Sequence, residues 1–190
     1  MRLRVSVILA LCGVALALRA ATPDSASDAV KEFQKRVDQY VSLRQKATQG
    51  LQPLKDPRTP DQVAAHQQAV AVRIKTSRAA AKQGDIFAPA STYFRQIVES
   101  EFRGKSGSHA LKTTKDGNPK VEAPAKSPVM RVNAVYPVGN SVSTMPPTLL
   151  LRLPPLPKGL EYRFVGNDLI LLDQETTLIV DYLPGAIVQQ

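Results

Sequence analysis

The chain has 190 residues, 43% of them hydrophobic, with 15 prolines, no tryptophan and a formal net charge of +9. This length predicts one domain with an added segment, and the apolar content is sufficient for a core. The only cysteine is Cys12, which excludes a disulfide framework and a cysteine metal cluster.

Residues 1–21 have the pattern of a cleaved secretory signal, with a basic start, an apolar run over residues 5–18 and small residues after it. That run is shorter than the about 20 residues of a membrane helix. The alternative is an uncleaved anchor in the inner membrane through residues 5–18. Cleavage would remove Cys12 and three arginines, leaving a charge of about +6. We therefore expect a periplasmic or secreted protein. Its partner would be an envelope protein or an anionic envelope polymer or lipid, not nucleic acid.

Residues 22–103 predict a helical unit. Apolar residues recur at three- and four-residue steps from Asp28, and Gly50 is expected to end the first helix. Thr59 and Pro60 start a second helix that we expect to run to about Gln83 and to pair with the first. A hook at residues 85–87 should pack on this hairpin before a third helix begins at residues 88–90. The predicted apolar stripes are Val30, Phe33, Val37, Tyr40 and Val41, then Val63, Val70, Ile74 and Ala81, then Tyr93, Phe94, Ile97, Val98 and Phe102.

Residues 104–130 are rich in glycine, serine and lysine and poor in residues that form a core. This composition predicts a disordered, basic linker. A polymer- or lipid-binding arm is the functional alternative to a tether.

Residues 131–190 predict a small β module with a proline-rich lead-in. Residues 132–137 are a candidate strand, and residues 148–153 a turn or two of helix. The extended residues 153–157 are expected to lay Leu153 and Leu156 across the sheet. They also contain a Pro-x-x-Pro spacing, for which recognition by a partner is the alternative interpretation.

The end of the chain predicts a three-stranded antiparallel meander. Residues 160–165 alternate, with Tyr162 and Phe164 on one face. Gly166 and Asn167, followed by Asp168, form a two-residue hairpin turn. Residues 169–172 are apolar throughout, which is typical of a middle strand covered on both faces. A looser turn at 173–177 leads to the third strand at 178–182.

This stretch resembles, over roughly residues 153–188, the C-terminal module of the RcnB-type periplasmic proteins of nickel and cobalt homeostasis. The residues that carry the resemblance are Pro157, Tyr162, Val165 to Asp168, Leu171 to Asp173, Thr176 and Ile179 to Asp181. Two departures are Tyr162, where that family commonly has tryptophan, and Thr177, where it commonly has glycine. The second departure predicts a different second turn. The resemblance implies a role in periplasmic metal homeostasis.

No combination of residues predicts catalysis or a cofactor. His66 and His109 lie on different segments, and we expect His66 to be exposed on its helix. The carboxylates Asp168, Asp173, Glu175 and Asp181 collect near the turns of the meander, where they would suit calcium or magnesium. Turn formation and a solvated strand edge explain them more simply. We assign no metal or catalytic residue.

Together these observations predict an α+β protein that is not an enzyme and acts in the cell envelope as a binding module. Metal homeostasis is the alternative. Tyr162, Phe164 and Tyr182 are predicted as a contact face or, with more weight, as core residues. Because three short strands are marginal alone, the meander needs cover from the helices or from a second copy of the chain.

Overall fold

The computed structural model describes residues 23–52, 56, 59–103, 107, 130–136 and 145–188. The predicted signal, His109 and nearly all of the predicted linker lie outside these residues. Within them the protein is α+β, as predicted. The elements are α1 (Pro23–Thr48), α2 (Pro60–Ser77), a 3-10 turn (Ala88–Ala90), α3 (Ser91–Phe102), α4 (Pro147–Leu150), β1 (Leu160–Val165), β2 (Asp168–Asp173) and β3 (Leu178–Leu183). None of the described helices is long and apolar enough to span a membrane.

The middle of the apolar stripe predicted for α1 is buried, while Val30 and Val41 at its two ends are half-buried. Phe33, Val37 and Tyr40 are at most 3% exposed. Gly50 follows the helix with a φ of 80°, which a glycine adopts without strain.

The second helix begins as predicted and ends earlier. Thr59 and Gln62 form a reciprocal capping box, and Pro60 is the first helical residue. The helix ends at Ser77 instead of continuing to about Gln83. The next residue, Arg78, leaves the helical conformation and donates hydrogen bonds to Asn133 Oδ1 at 2.9 Å and to the Val180 carbonyl at 3.1 Å. Contacts with distant residues therefore end the helix.

An aromatic cluster joins the helices. The hook is buried as predicted, with Ile86 and Phe87 at 3% and 0% exposure. The Phe33 ring lies 5.6 Å from that of Phe87 and 4.9 Å from that of Phe94. Residues 88–90 form a 3-10 turn, and the α-helical part of the third helix begins at Ser91.

The meander has the predicted order and turns. The strands pair antiparallel as β1-β2-β3, and Val165 faces Asp168 across the Gly166-Asn167 turn. The candidate strand at 132–137 is reduced to one bridge, between Val135 and Leu178.

The helices and the sheet share one core. The helical layer covers the sheet face that carries Tyr162, Phe164, Leu171 and Val180. On the opposite face, Tyr136 packs with Ile170, Leu172 and Ile179. The middle strand β2 is thus buried on both sides, as its unbroken apolar run predicts.

Candidate functional site

Asp173 links the sheet to α1. Its Oδ2 accepts hydrogen bonds from the Tyr40 hydroxyl at 2.9 Å and from Arg44 Nε at 2.7 Å. Its Oδ1 accepts from the backbone of Glu175 at 3.2 Å, and from the backbone and hydroxyl of Thr176 at 3.1 and 3.0 Å. The predicted turn role is therefore correct. The predicted solvated edge is wrong, because Asp173 is 0% exposed.

Two side-chain partners of Asp173 are also withdrawn from solvent: Tyr40 is 3% exposed and the Arg44 side chain is 25% exposed. Burial and the adjacent Asp173 carboxylate raise the pKa of the Tyr40 phenol. Arg44 also contacts the Glu175 carboxylate, which is 38% exposed at the rim of this cluster. The network joins residues of α1 to the β2–β3 turn and leaves neither Asp173 oxygen unpartnered.

Asp181 holds the hook against the third strand. Its carboxylate accepts from the backbone N–H groups of Gly84 at 2.7 Å and of Ile86, Phe87 and Tyr182 at 2.8 Å each. Burial raises the pKa of Asp181, while the four backbone N–H groups oppose that rise. At 0% exposure Asp181 is another correction to the predicted solvated edge.

The two remaining acidic positions and His66 have local roles. Asp168 Oδ1 accepts from the Gly185 backbone N–H at 2.8 Å, next to the turn that Gly166 and Asn167 form. His66 was expected to be exposed, but its side chain is 19% exposed and its Nε2 lies 3.4 Å from Glu175 Oε1. The described residues contain no group of three histidines, cysteines or carboxylates placed to hold a metal ion.

The three aromatic residues predicted as one face lie on two faces. Tyr162 and Phe164 are buried against the helices, at 5% and 0% exposure. Tyr182 packs on the other side of the sheet with the cluster around Ile170. The core interpretation therefore holds for Tyr162 and Phe164, and the three do not form a contact surface.

An apolar groove of about 340 Å³ runs beside β1, between this strand and the segment 145–156. We call it the β1 groove. Leu150 on its wall is 46% exposed, and the neighbouring Leu151 is 87% exposed, the highest value among the large hydrophobic residues described. The groove is lined by Met145, Leu150, Pro154, Pro155, Leu156, Leu160, Glu161, Tyr162 and Arg163.

The wall of the groove is fixed to the core. Leu149 is fully buried, while Thr148 and Arg152 both bond to the Glu101 carboxylate on α3. The Tyr162 hydroxyl donates to the Pro154 carbonyl at 3.0 Å, which holds the lead-in on β1. The exposed leucines are therefore presented by an anchored turn.

The groove follows an edge of the sheet. In the described part of the chain β1 pairs with β2 alone. Val165 and Asp168 close the two-residue turn as a hydrogen-bonded pair, so the backbone N–H and C=O groups of residues 161, 163 and 165 bond to β2. Hydrogen-bonded and non-bonded pairs alternate along antiparallel strands, so the backbone groups of Tyr162 and Phe164 point away from β2. Such an edge is a template for a further strand.

A larger cavity, of about 960 Å³, borders the outer side of α1 and includes Lys31 and Lys35. Both of these lysines are already paired, with Asp28 at 3.1 Å and with Glu32 at 3.3 Å. Polar groups form a larger share of its lining than of the β1 groove, and its one leucine, Leu43, is only partly exposed.

The β1 groove was not predicted from sequence. The run of leucines at 149–151 indicated a short helix, but not which of its leucines would face solvent. Comparison with protein-family models, with curated proteins and with solved structures finds no match to this chain.

Proposed function

We propose that the protein is a non-enzymatic, exported binding module of the cell envelope, and that it contacts its partner through the β1 edge and the β1 groove. The observation that carries this proposal is Leu151. It is an 87% exposed apolar residue on an anchored turn, beside a groove and a strand edge. With Leu150, which is 46% exposed, it forms a contiguous exposed apolar surface, and surface of this kind marks interaction sites.

The buried acidic groups support a binding role over a catalytic one. Asp173 and Asp181 accept five and four hydrogen bonds from named donors, and both are 0% exposed. Neither is positioned to take a proton from a substrate. Their contribution is to join the helical layer to the sheet.

Site-specific photo-crosslinking in cells tests the proposal. A photoreactive amino acid replaces Leu151 in the full-length protein, with the same replacement at Val72 as the control. Val72 is also exposed and apolar, at 54%, but lies on α2 and does not line the groove. We expect discrete adducts from position 151, in the periplasmic or membrane fraction, and few from position 72. Equal yields at both positions would overturn the proposal.

Periplasmic metal homeostasis is the second candidate, and one observation favours the resemblance that suggests it. Thr177 has a φ of 52°, in the left-handed region that favours glycine, and it occupies the position where RcnB-type proteins commonly have glycine. Metal-dependent thermal stability distinguishes this candidate from the first.

A further inference from the structure

We infer that the partner at the β1 edge is a second copy of this chain, paired antiparallel through β1 about a two-fold axis at Tyr162. This inference rests on the proposed function and names the occupant of the same surface. It would extend the sheet from three strands to six.

The backbone pattern of β1 fits this symmetry. The register of β1 with β2 directs the N–H and C=O groups of Tyr162 and Phe164 toward the open edge. When two copies pair about Tyr162, that residue faces its own copy as a hydrogen-bonded pair. Leu160 then faces Phe164 on each side. An isologous contact requires this self-complementarity.

The charges on β1 are also self-complementary. Glu161 and Arg163 flank Tyr162, so the two-fold axis places Glu161 of each copy opposite Arg163 of the other. Opposite charges that face each other across antiparallel strands stabilise the pairing. Each symmetric dimer would contain this pair twice.

The Arg163 guanidinium can bond to a further carboxylate. Within one chain its Nη2 donates to Glu161 at 2.9 Å, while its Nε is buried with no hydrogen-bond partner among the described residues. A buried donor without an acceptor is costly, and a guanidinium binds a carboxylate best through two N–H groups. The Arg163 side chain as a whole is 32% exposed, so a change of rotamer in the dimer would bring its Nε and an Nη to the Glu161 carboxylate of the second copy.

An unrelated extended peptide could also add to this edge, but the structure gives a reason to prefer a second copy. When β1 pairs antiparallel with a second β1, Glu161 and Arg163 each face the opposite charge. A peptide of another protein would need this charge order independently.

Molar mass in solution tests the inference with the chain of residues 22–190, which contains every core residue described above. We expect a concentration-dependent dimer by sedimentation equilibrium. Glu161→Arg and Arg163→Glu should each weaken association by on the order of tenfold, because both symmetric pairs then become like-charged. The double variant Glu161→Arg/Arg163→Glu should restore the dimer. Melting midpoints serve as the control for folding. A monomer at all concentrations, or single variants that associate like the parent, would overturn the inference.

A disulfide test reports the register directly. The paired Cα atoms of 161 and 163 in the two copies would lie about 4.5 Å apart, within disulfide range. The variant Glu161→Cys/Arg163→Cys should therefore give a covalent dimer on oxidation, and Glu161→Cys alone should not. Failure of the pair to crosslink refutes this register. If the chain is monomeric while position 151 still crosslinks to another polypeptide in cells, the inference fails and the proposed function stands.

Discussion

Replacing Asp173 by asparagine should lower the free energy of unfolding by about 3 kcal/mol. An amide has one acceptor oxygen, so in either orientation its NH₂ group faces donors. With the NH₂ at the Oδ2 position, the Tyr40 hydroxyl and Arg44 Nε lose their acceptor, and with it at Oδ1 three donors do. Each buried donor left unpaired costs about 1–3 kcal/mol. Two such donors give about 2–6 kcal/mol, and because Arg44 is 25% exposed, water offsets part of its loss and lowers the sum to about 3 kcal/mol.

Glu175→Gln is the matched control for this prediction. Glu175 contacts the same Arg44, but its side chain is 38% exposed, and pairs of this kind contribute about 1 kcal/mol or less. The assay is urea unfolding followed by circular dichroism, with the slope of the transition compared between variants. The reasoning is refuted if Asp173→Asn lies within about 1 kcal/mol of the parent, or if Glu175→Gln costs as much as Asp173→Asn.

Three further predictions concern tyrosine ionisation, the conformation of two turns, and the effect of metals on stability. Burial raises the pKa of Tyr40, Tyr136 and Tyr162, so phenolate absorbance should show these three resisting ionisation until the chain unfolds. Because their folded pKa exceeds the unfolded value of 10.0, stability should fall as the pH rises above about 10, and a normal native titration of all tyrosines would contradict this. Thr177→Gly should raise the urea midpoint, because glycine adopts the positive φ of 52° at this position without strain. Asn133→Gly should lower the midpoint, because it removes the hydrogen bonds between Asn133 and Arg78. A lower midpoint for Thr177→Gly would show that the Thr177 backbone is unstrained. Nickel, cobalt or EDTA should leave the melting midpoint unchanged, because the described residues contain no group placed to hold a metal ion. A metal that binds the native state must raise the midpoint, so a clear rise with nickel or cobalt would favour metal homeostasis.

The meander was predictable because its signals are local. The alternation of residues 160–165 and the Gly166-Asn167 turn depend on residues close in sequence, and both strands and turn are observed where they were predicted. The start of α2 is local in the same way, since Thr59 and Gln62, which form its capping box, are only three positions apart.

The roles of the buried acids were not predictable because their partners are far away in sequence. Asp173 and Tyr40 are separated by 133 positions, and Asp181 and Gly84 by 97. A carboxylate next to a turn has the same local pattern whether it faces water or a helix. The early end of α2 has the same origin, because Arg78 hydrogen-bonds to Asn133, which is 55 positions away in sequence.

The central claim, that the β1 edge is the contact surface, is tested most directly by amide hydrogen exchange. The dilute purified chain is compared with the same chain at a concentration where it dimerises, and with the dilute chain added to a periplasmic extract. We predict slower exchange at the amides of Tyr162 and Phe164 in the concentrated sample, with no change along the outer side of α2 around Val72. Unchanged exchange at Tyr162 and Phe164, or protection confined to α2, would contradict the claim.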